Sequence, residues 1–325
     1  SNLCGTILKD ADLPKCKLYK ADLTGANLKN ANLKEANLKK ANLRGANLQF
    51  ANLRHAKGVA PEQLYKAKNW NLAFYSDELI KTLGLPTNHN ENAQKKNFKG
   101  YNFKAAKLQG ANLKESILKG ADLSGTDLQG ANLQESILKG ADLSRTDLQD
   151  ADLQKSNLCK ANLTGANLKN SNLKEANLKS ALIKGANLQW ANLCEAKGIS
   201  IGQLFSAKNH LLAYYNEDWL KSIDLPPNHN DRVKDRNFEL YNFQGANLEE
   251  ADLRGANLKS VIFKKANLKN TELSEANLQG TDFREAINIE TNKLQNANNH
   301  QLAFYDENRL IKLGFPLDHN ERLMK

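Results

Sequence analysis

The sequence predicts a β-solenoid, a fold in which short sides wind repeatedly around one apolar axis. Two observations support this prediction. Leucine recurs every five residues from Leu23 to Leu53, and alanine stands two residues before each of these leucines. A period of five matches neither the roughly 3.6-residue repeat of an α-helix nor the two-residue alternation of a strand, but it suits a square coil with one five-residue unit per side.

In such a coil the central leucine and the alanine before it point inward, while Asn or Asp and the two trailing residues face outward. Small alanine is needed where four sides converge, because a larger residue would overpack the axis. The strict apolar period supplies a continuous core and argues against a disordered low-complexity tract. The leucines predicted to form the core include Leu23, Leu28, Leu33, Leu38, Leu113, Leu123, Leu133, Leu143, Leu248 and Leu253.

These A(N/D)LXX units resemble the pentapeptide-repeat family. They fill three runs, 1–55, 96–195 and 236–285, and the stretch ANLKESILKGADLSGTDLQG at 111–130 returns almost unchanged at 131–150. The resemblance implies a right-handed quadrilateral β-helix with four units per coil, and the recurrence fits one such coil. With its interruptions, the chain is similar to long members of the family from cyanobacteria.

Three segments interrupt the repeat and align with one another without gaps: 56–95, 196–235 and 286–325. Their apolar period becomes helical, and Gly84 followed by Pro86 is a helix stop signal. Each segment is therefore predicted to hold two helices. The predicted helices lie near 61–68 and 70–83, with equivalents near 201–208, 210–223, 291–298 and 300–313.

The ends of a solenoid expose unpaired strand edges, which helical caps would cover. The second and third runs open alike, with KNFKGYNF and RNFELYNF, so that wide side chains occupy central positions. We expect these residues to close the first coil of each run: Phe98, Phe103, Phe238 and Phe243. The pattern favours three separately capped solenoids over one continuous rod with helical insertions.

We find no catalytic, cofactor-binding or metal-binding motif in the sequence, and we expect a non-enzymatic protein without a cofactor. His89, His229 and His319 recur in a (N/D)HN turn, where tying down backbone groups is favoured over metal binding because too few ligands lie nearby. The four cysteines form no CxxC pair and favour a reducing, cytoplasmic compartment. No apolar run reaches the roughly 18 residues of a membrane span. The sequence begins within a repeat, so a leader upstream is not excluded.

The chain carries a formal net charge of +10. This sign argues against DNA mimicry, by which acidic members of the family bind DNA gyrase. Lysine and arginine outnumber acidic residues by six in 1–55 and by four in 96–195. A candidate basic surface is formed by Lys29, Lys34, Lys39, Arg44 and Arg54. Outward aromatic residues, which would stack on bases, are limited to Tyr19, Phe50 and Trp190.

Three functional hypotheses follow. The leading one is a non-catalytic scaffold whose flat sides or helical pairs bind a protein partner, because a solenoid offers an extended and rigid surface. The first alternative is a binder of nucleic acid or another anionic surface through the first two runs. The second alternative is an architectural module that assembles end to end through its helical pairs.

Overall fold

A computed structural model of the chain describes residues 1–324. The chain forms two compact units. Unit 1 comprises Ser1–Asn167 with Glu175–Leu182, and unit 2 comprises Leu168–Lys174 with the chain from Ile183 onward. Lys325, the last residue of the third predicted helical segment, lies outside the described residues.

In both units the backbone winds in coils of twenty residues. The residue before each central position pairs in parallel with the residue one coil further along, as Asn112 does with Asn132 in unit 1. Leu113 donates its N–H to the carbonyl of Asn132 at 2.7 Å, and Asn132 donates its N–H to the carbonyl of Ala111 at 2.9 Å. The same pairing recurs in unit 2. The twenty-residue coil predicted from the repeat is therefore present.

A residue in the left-handed region ends most five-residue sides and turns the chain through the corner. The backbone φ angle is +57° at Asn30 and +61° at Glu35, a region that glycine and asparagine enter most easily. The Asn before the central leucine supports the corner, because Oδ1 of Asn27 accepts the N–H of Lys29 at 3.2 Å. Because a corner follows each side, the sides of the described coils pair through isolated β-bridges and do not form longer strands.

The central residues of the repeat form an apolar column inside the coils of each unit. All ten leucines expected in the core have exposed fractions of 0–1%. In unit 2, phenylalanine rings also stack from coil to coil. Their centroids are 5.6 Å apart for Phe243 and Phe263, and 5.2 Å apart for Phe263 and Phe283. Each column is thus packed by one apolar side chain per coil.

The helical segments differ from the prediction of two helices each. Among the described residues, each segment contains three short α-helices and one 3-10 turn. The α-helices are α1 (Pro61–Leu64), α2 (Asp77–Thr82), α3 (His89–Gln94), α4 (Ile201–Phe205), α5 (Glu217–Ser222), α6 (His229–Lys234), α7 (Thr291–Gln295), α8 (Glu307–Leu313) and α9 (His319–Leu323). The 3-10 turns span Trp70–Leu72, His210–Leu212 and His300–Leu302. No described helix has the length and apolar character needed to cross a membrane.

The predicted second helix is shortened to α2 in the first segment, because the chain first completes part of another coil. Leu53 donates its N–H to the carbonyl of Phe74 at 2.8 Å, and Phe74 donates its N–H to the carbonyl of Ala51 at 2.9 Å. Leu72 and Tyr75 therefore fill inward positions of this coil, and both are fully buried. Their sequence spacing resembles a helical stripe, but the backbone between them is a 3-10 turn followed by an extended residue.

In each unit, the repeat runs on the two sides of a helical segment contact each other directly. The side chain of Gln49 bonds to the backbone of Asn112 in unit 1, and that of Gln189 bonds to the backbone of Asp252 in unit 2. Separate caps would keep these runs apart. These contacts favour runs that are joined at both junctions, and whether the helical segments cap separate solenoids stays a prediction.

Candidate binding surfaces

The five residues of the candidate basic surface lie on four different sides of the coils in unit 1. Two of them share a side, Lys34 and Arg54, which follow the bridged residues Asn32 and Asn52. The guanidinium carbon of Arg54 also lies 5.2 Å from the centre of the Phe74 ring. The exposed members are Lys34, Lys39 and Arg44, and the half-buried members are Lys29 and Arg54. The structure does not bring the five cations together.

The phenylalanines at the openings of the second and third runs are buried. The exposed fractions lie between 0 and 2% for Phe98, Phe103, Phe238 and Phe243. The rings of Phe98 and Phe103 have centroids 5.6 Å apart. The preceding helix also contacts the edge of this first coil, since Asn97 donates its N–H to the carbonyl of Asn92 in α3 at 2.8 Å. That these phenylalanines close the coil stays a prediction.

The histidines of the (N/D)HN turns contact backbone carbonyl groups. Nε2 of His89 lies 2.8 Å from the carbonyl oxygen of Ala73, and Nε2 of His229 lies 2.9 Å from that of Ala213. The corresponding distance for His319 is 3.1 Å. Burial lowers the pKa of His229 to about 4. These contacts confirm the predicted structural role. Across residues 1–324, no group of three or more His, Cys, Asp or Glu is placed to hold a metal ion.

Helix α4 in unit 2 presents an apolar face to solvent. Ile201 and Phe205, about one helical turn apart, have exposed fractions of 41% and 52%. Ser200 is the N-cap of this helix, because its hydroxyl accepts the N–H of Gln203 at 3.2 Å. A cleft of about 280 Å³ lies beside this face and is lined by Ile199, Ser200, Ile201, Asp218, Trp219 and Ser222.

The third segment has the same helix with polar residues on this face. Thr291 and Gln295 align with Ile201 and Phe205, and α7 begins and ends at positions equivalent to those of α4. In the first segment Tyr65 takes the place of Phe205 and is 49% exposed. The helix therefore does not need apolar residues here. Exposed apolar side chains that the fold does not require are typical of surfaces that bind other molecules.

A second surface of unit 2 surrounds Trp190. Nζ of Lys169 lies 4.8 Å from the centre of the indole ring, and the guanidinium carbon of Arg236 lies 4.7 Å from it. A cavity of about 290 Å³ adjoins the ring and is lined by Asn170, Trp190, Tyr214, Val233, Lys234 and Arg236. We call it the Trp190 cavity. Two of its lining side chains are cationic and none is acidic. Burial raises the pKa of Tyr214, so its hydroxyl keeps its proton at neutral pH.

The carboxylate of Asp252 holds cations of this surface in place. It lies 2.9 Å from Nε of Arg254, 3.7 Å from the guanidinium of Arg236 and 3.9 Å from Nζ of Lys169. The hydrogen bond from Arg254 is the main reason that the pKa of Asp252 is lowered to about 2. This carboxylate is thus ionised at neutral pH. Lys234 lines the adjoining cavity and adds a fourth cation to this surface.

The corresponding positions of unit 1 carry different residues. Phe50 stands in place of Trp190, and Gln94 stands in place of Lys234. Sequence reasoning identified Trp190 as an outward aromatic residue but missed its cationic neighbours. They are distant in sequence and meet only because successive coils stack. A position-by-position comparison of the two modules would have indicated the extra charge of Lys234.

A family model described as pentapeptide repeats matches the chain in eight copies. The matched residues are 1–25, 21–57, 97–134, 126–165, 161–197, 237–273 and 251–287. They cover more than half of the chain and follow the three runs found by their five-residue period. Among functionally curated proteins, none matches this sequence.

Solved structures of pentapeptide repeat proteins are similar to this chain. HetL, which is involved in heterocyst differentiation regulation in the cyanobacterium Nostoc, is 24% identical, with 86% of this chain and 89% of that chain covered at a TM-score of 0.24. A protein of the Arabidopsis thaliana thylakoid lumen is 31% identical over 34% of this chain and 72% of that chain, at a TM-score of 0.22. Rfr23 from the cyanobacterium Cyanothece is 29% identical over 38% and 85%, at a TM-score of 0.21. At these TM-scores no contact or partner is transferred to this chain.

Proposed function

Because the chain belongs to the pentapeptide-repeat family, we propose that it is a non-catalytic scaffold that binds a protein partner. Family membership also supports a right-handed, four-sided coil in both units. In such a coil the hydrogen bonds between successive turns fix the direction of the outward side chains. A partner then meets a surface that is already ordered, so little conformational entropy is lost on binding.

The observation that carries this proposal is the exposed apolar face of α4. Ile201 and Phe205 lie in solvent beside the cleft that Ile199 and Trp219 help to line. Covering such side chains contributes roughly 25 cal/mol per Å² of apolar surface removed from water. A cleft with apolar walls at Ile199 and Trp219, beside an aliphatic and an aromatic side chain, suits the apolar side chains of a protein. It offers no cations for a phosphate backbone.

Two buried groups with strongly shifted pKa values serve the fold, which supports binding rather than catalysis. Burial raises the pKa of Tyr215, whose hydroxyl donates to the carbonyl of His210 at 2.7 Å. Burial also lowers the pKa of His210 to about 4. Both side chains are buried, and their contacts hold the 3-10 turn against the coil.

The two alternatives make different use of the surface. A nucleic-acid binder needs a row of cations that follows the phosphate backbone, whereas the five basic residues of the first run lie on four sides of the coils. An architectural module would place a second copy of this chain on the face of α4. The three hypotheses differ in what the purified chain binds: a protein partner, a nucleic acid or a second copy of this chain.

Differential capture tests the proposal. The full chain and its Ile201→Thr/Phe205→Gln variant, which takes the residues of the third segment, are immobilised and exposed to a lysate of the organism that encodes the chain. We expect a protein that the wild type retains and the variant does not. Equal capture by both forms would contradict a role for α4.

Two further measurements address the alternatives. If the wild type is retained on duplex DNA or RNA at low salt and released as the salt concentration rises, the chain is a nucleic-acid binder and not a protein-binding scaffold. If light scattering shows that the wild type assembles as its concentration rises and that the variant does not, the chain is an architectural module and not a protein-binding scaffold. A monomer without affinity for nucleic acid is the result expected of a scaffold.

A further inference from the structure

We infer that the Trp190 cavity binds a carboxylate-bearing segment of the protein partner. This inference rests on the proposed function and names the chemistry of that partner. The cavity offers the ammonium group of Lys234 and the guanidinium of Arg236 along one concavity. These groups are donors suited to an acidic side chain, and charge-assisted hydrogen bonds to carboxylates are among the stronger polar contacts.

Arg236 and Lys169 are held in place before any ligand arrives. Arg236 packs over the indole ring and donates from NH1 to the carbonyl of Arg254 at 2.7 Å. Lys169 is held between the indole ring and the buried carboxylate of Asp252. Side chains that are already fixed lose less entropy when they bind, which favours recognition at this position over the freely moving lysines of the solenoid sides.

Lys234 supplies the charge that the fold itself does not use. Its side chain is exposed and makes no ion pair with any described residue, although it lines the cavity beside Arg236. In unit 1 the equivalent residue is Gln94, which precedes the same turn. A cation is therefore not required at this position by the local structure, and its charge is available to an anionic ligand.

The surroundings favour a short acidic peptide segment over a nucleic acid. The cations already cover the indole ring of Trp190, which limits base stacking. Val233 and Tyr214 provide apolar walls that suit an uncharged residue next to the carboxylate.

Fluorescence anisotropy of a labelled peptide of alternating Glu and Ala tests this inference on the full chain. We compare the wild type with the Lys234→Gln/Arg236→Lys variant, which takes Gln94 and Lys96 of unit 1 and so retains residues that this position accommodates. The control is Lys99→Gln, an exposed lysine whose loss lowers the net charge equally. We expect the Kd of the peptide to rise by about tenfold or more in the variant and by less than about twofold in the control.

Three results would overturn the inference: no saturable binding to the wild type, equal loss in variant and control, or tighter binding of an RNA oligonucleotide of the same charge. If both altered forms unfold at the same temperature as the wild type, a loss of peptide affinity is not caused by misfolding. The scaffold proposal is judged separately. If a captured partner binds the wild type and the Lys234→Gln/Arg236→Lys variant alike, this inference falls while the scaffold stands.

Discussion

Gln49 binds both the carbonyl and the N–H of Asn112 through the two ends of its side-chain amide, at 3.0 and 3.3 Å. The two residues are 63 positions apart in the sequence and lie on opposite sides of a helical segment. Gln189 binds Asp252 in the same way, at 2.9 and 3.2 Å. Within each unit, one fully buried glutamine thus joins two runs of the repeat.

Replacement of this glutamine will weaken the junction. Gln49→Ala removes two hydrogen bonds and leaves the N–H and the carbonyl of Asn112 without their partner. We expect the free energy of unfolding to fall by about 1–3 kcal/mol, measured by urea denaturation followed by circular dichroism. Gln109→Ala is the control, because Gln109 also follows a central leucine but is only half-buried. An equal and small effect of both substitutions would show that the junction contributes nothing.

Three serines stacked on successive coils are expected to lower the free energy of unfolding. Ser116, Ser136 and Ser156 occupy successive alanine positions, and their buried hydroxyls have no hydrogen-bond partner among the described residues. Ser136→Ala removes such a hydroxyl, so we expect the free energy of unfolding to rise by about 1 kcal/mol.

The control for the serine column is Thr146→Ala in the same unit. The hydroxyl of Thr146 donates to the carbonyl of Leu123 at 2.8 Å, so its removal is expected to lower the free energy of unfolding by about 1–2 kcal/mol. Opposite signs in the two substitutions, measured by urea denaturation, are the expected result. A loss of stability in Ser136→Ala would mean that its hydroxyl is bonded in solution.

Because histidines are buried in the folded chain, we expect the free energy of unfolding to decrease in mild acid. The pKa of His229 is about 4 in the folded chain, against an ordinary value of 6.5. Between these values the unfolded chain binds a proton that the folded chain excludes, so the free energy of unfolding decreases as the pH falls from 6.5 towards 4. At pH 5, this one group is expected to remove on the order of 2 kcal/mol.

His229→Gln isolates this contribution, because glutamine does not titrate. We expect the difference in unfolding free energy between about pH 7 and pH 5 to be smaller in this variant than in the wild type. The exposed His55, replaced in the same way, serves as the control. An unaltered pH dependence in His229→Gln would show that His229 is not buried as a neutral group.

The repeat could be predicted from the sequence because its physical cause is local. One leucine and one alanine per side fill the axis, and each position repeats the same backbone geometry. The sequence did not reveal that Asn27 and its equivalents cap the corners through Oδ1, because an outward polar residue looks the same whether it faces water or a backbone N–H.

The helical segments were harder to predict. The spacing of Leu72 and Tyr75 fits a helical stripe, but tertiary pairing with the preceding coil determines the structure there. The surface around Trp190 was beyond prediction for a related reason. Lys169, Trp190 and Arg236 meet only through stacked coils and a helical segment, and no single window of sequence contains all three.

The most direct test of the scaffold is the affinity of the captured partner, once purified, for the wild type and for Ile201→Thr/Phe205→Gln. Isothermal titration gives the Kd, and Leu240→Gly, which removes an apolar side chain that is 74% exposed elsewhere in unit 2, is the control. We predict a Kd at least about tenfold higher in the double variant and a change of less than about twofold in the control. Unchanged affinity in a folded double variant would contradict the claim that this chain binds its partner through α4.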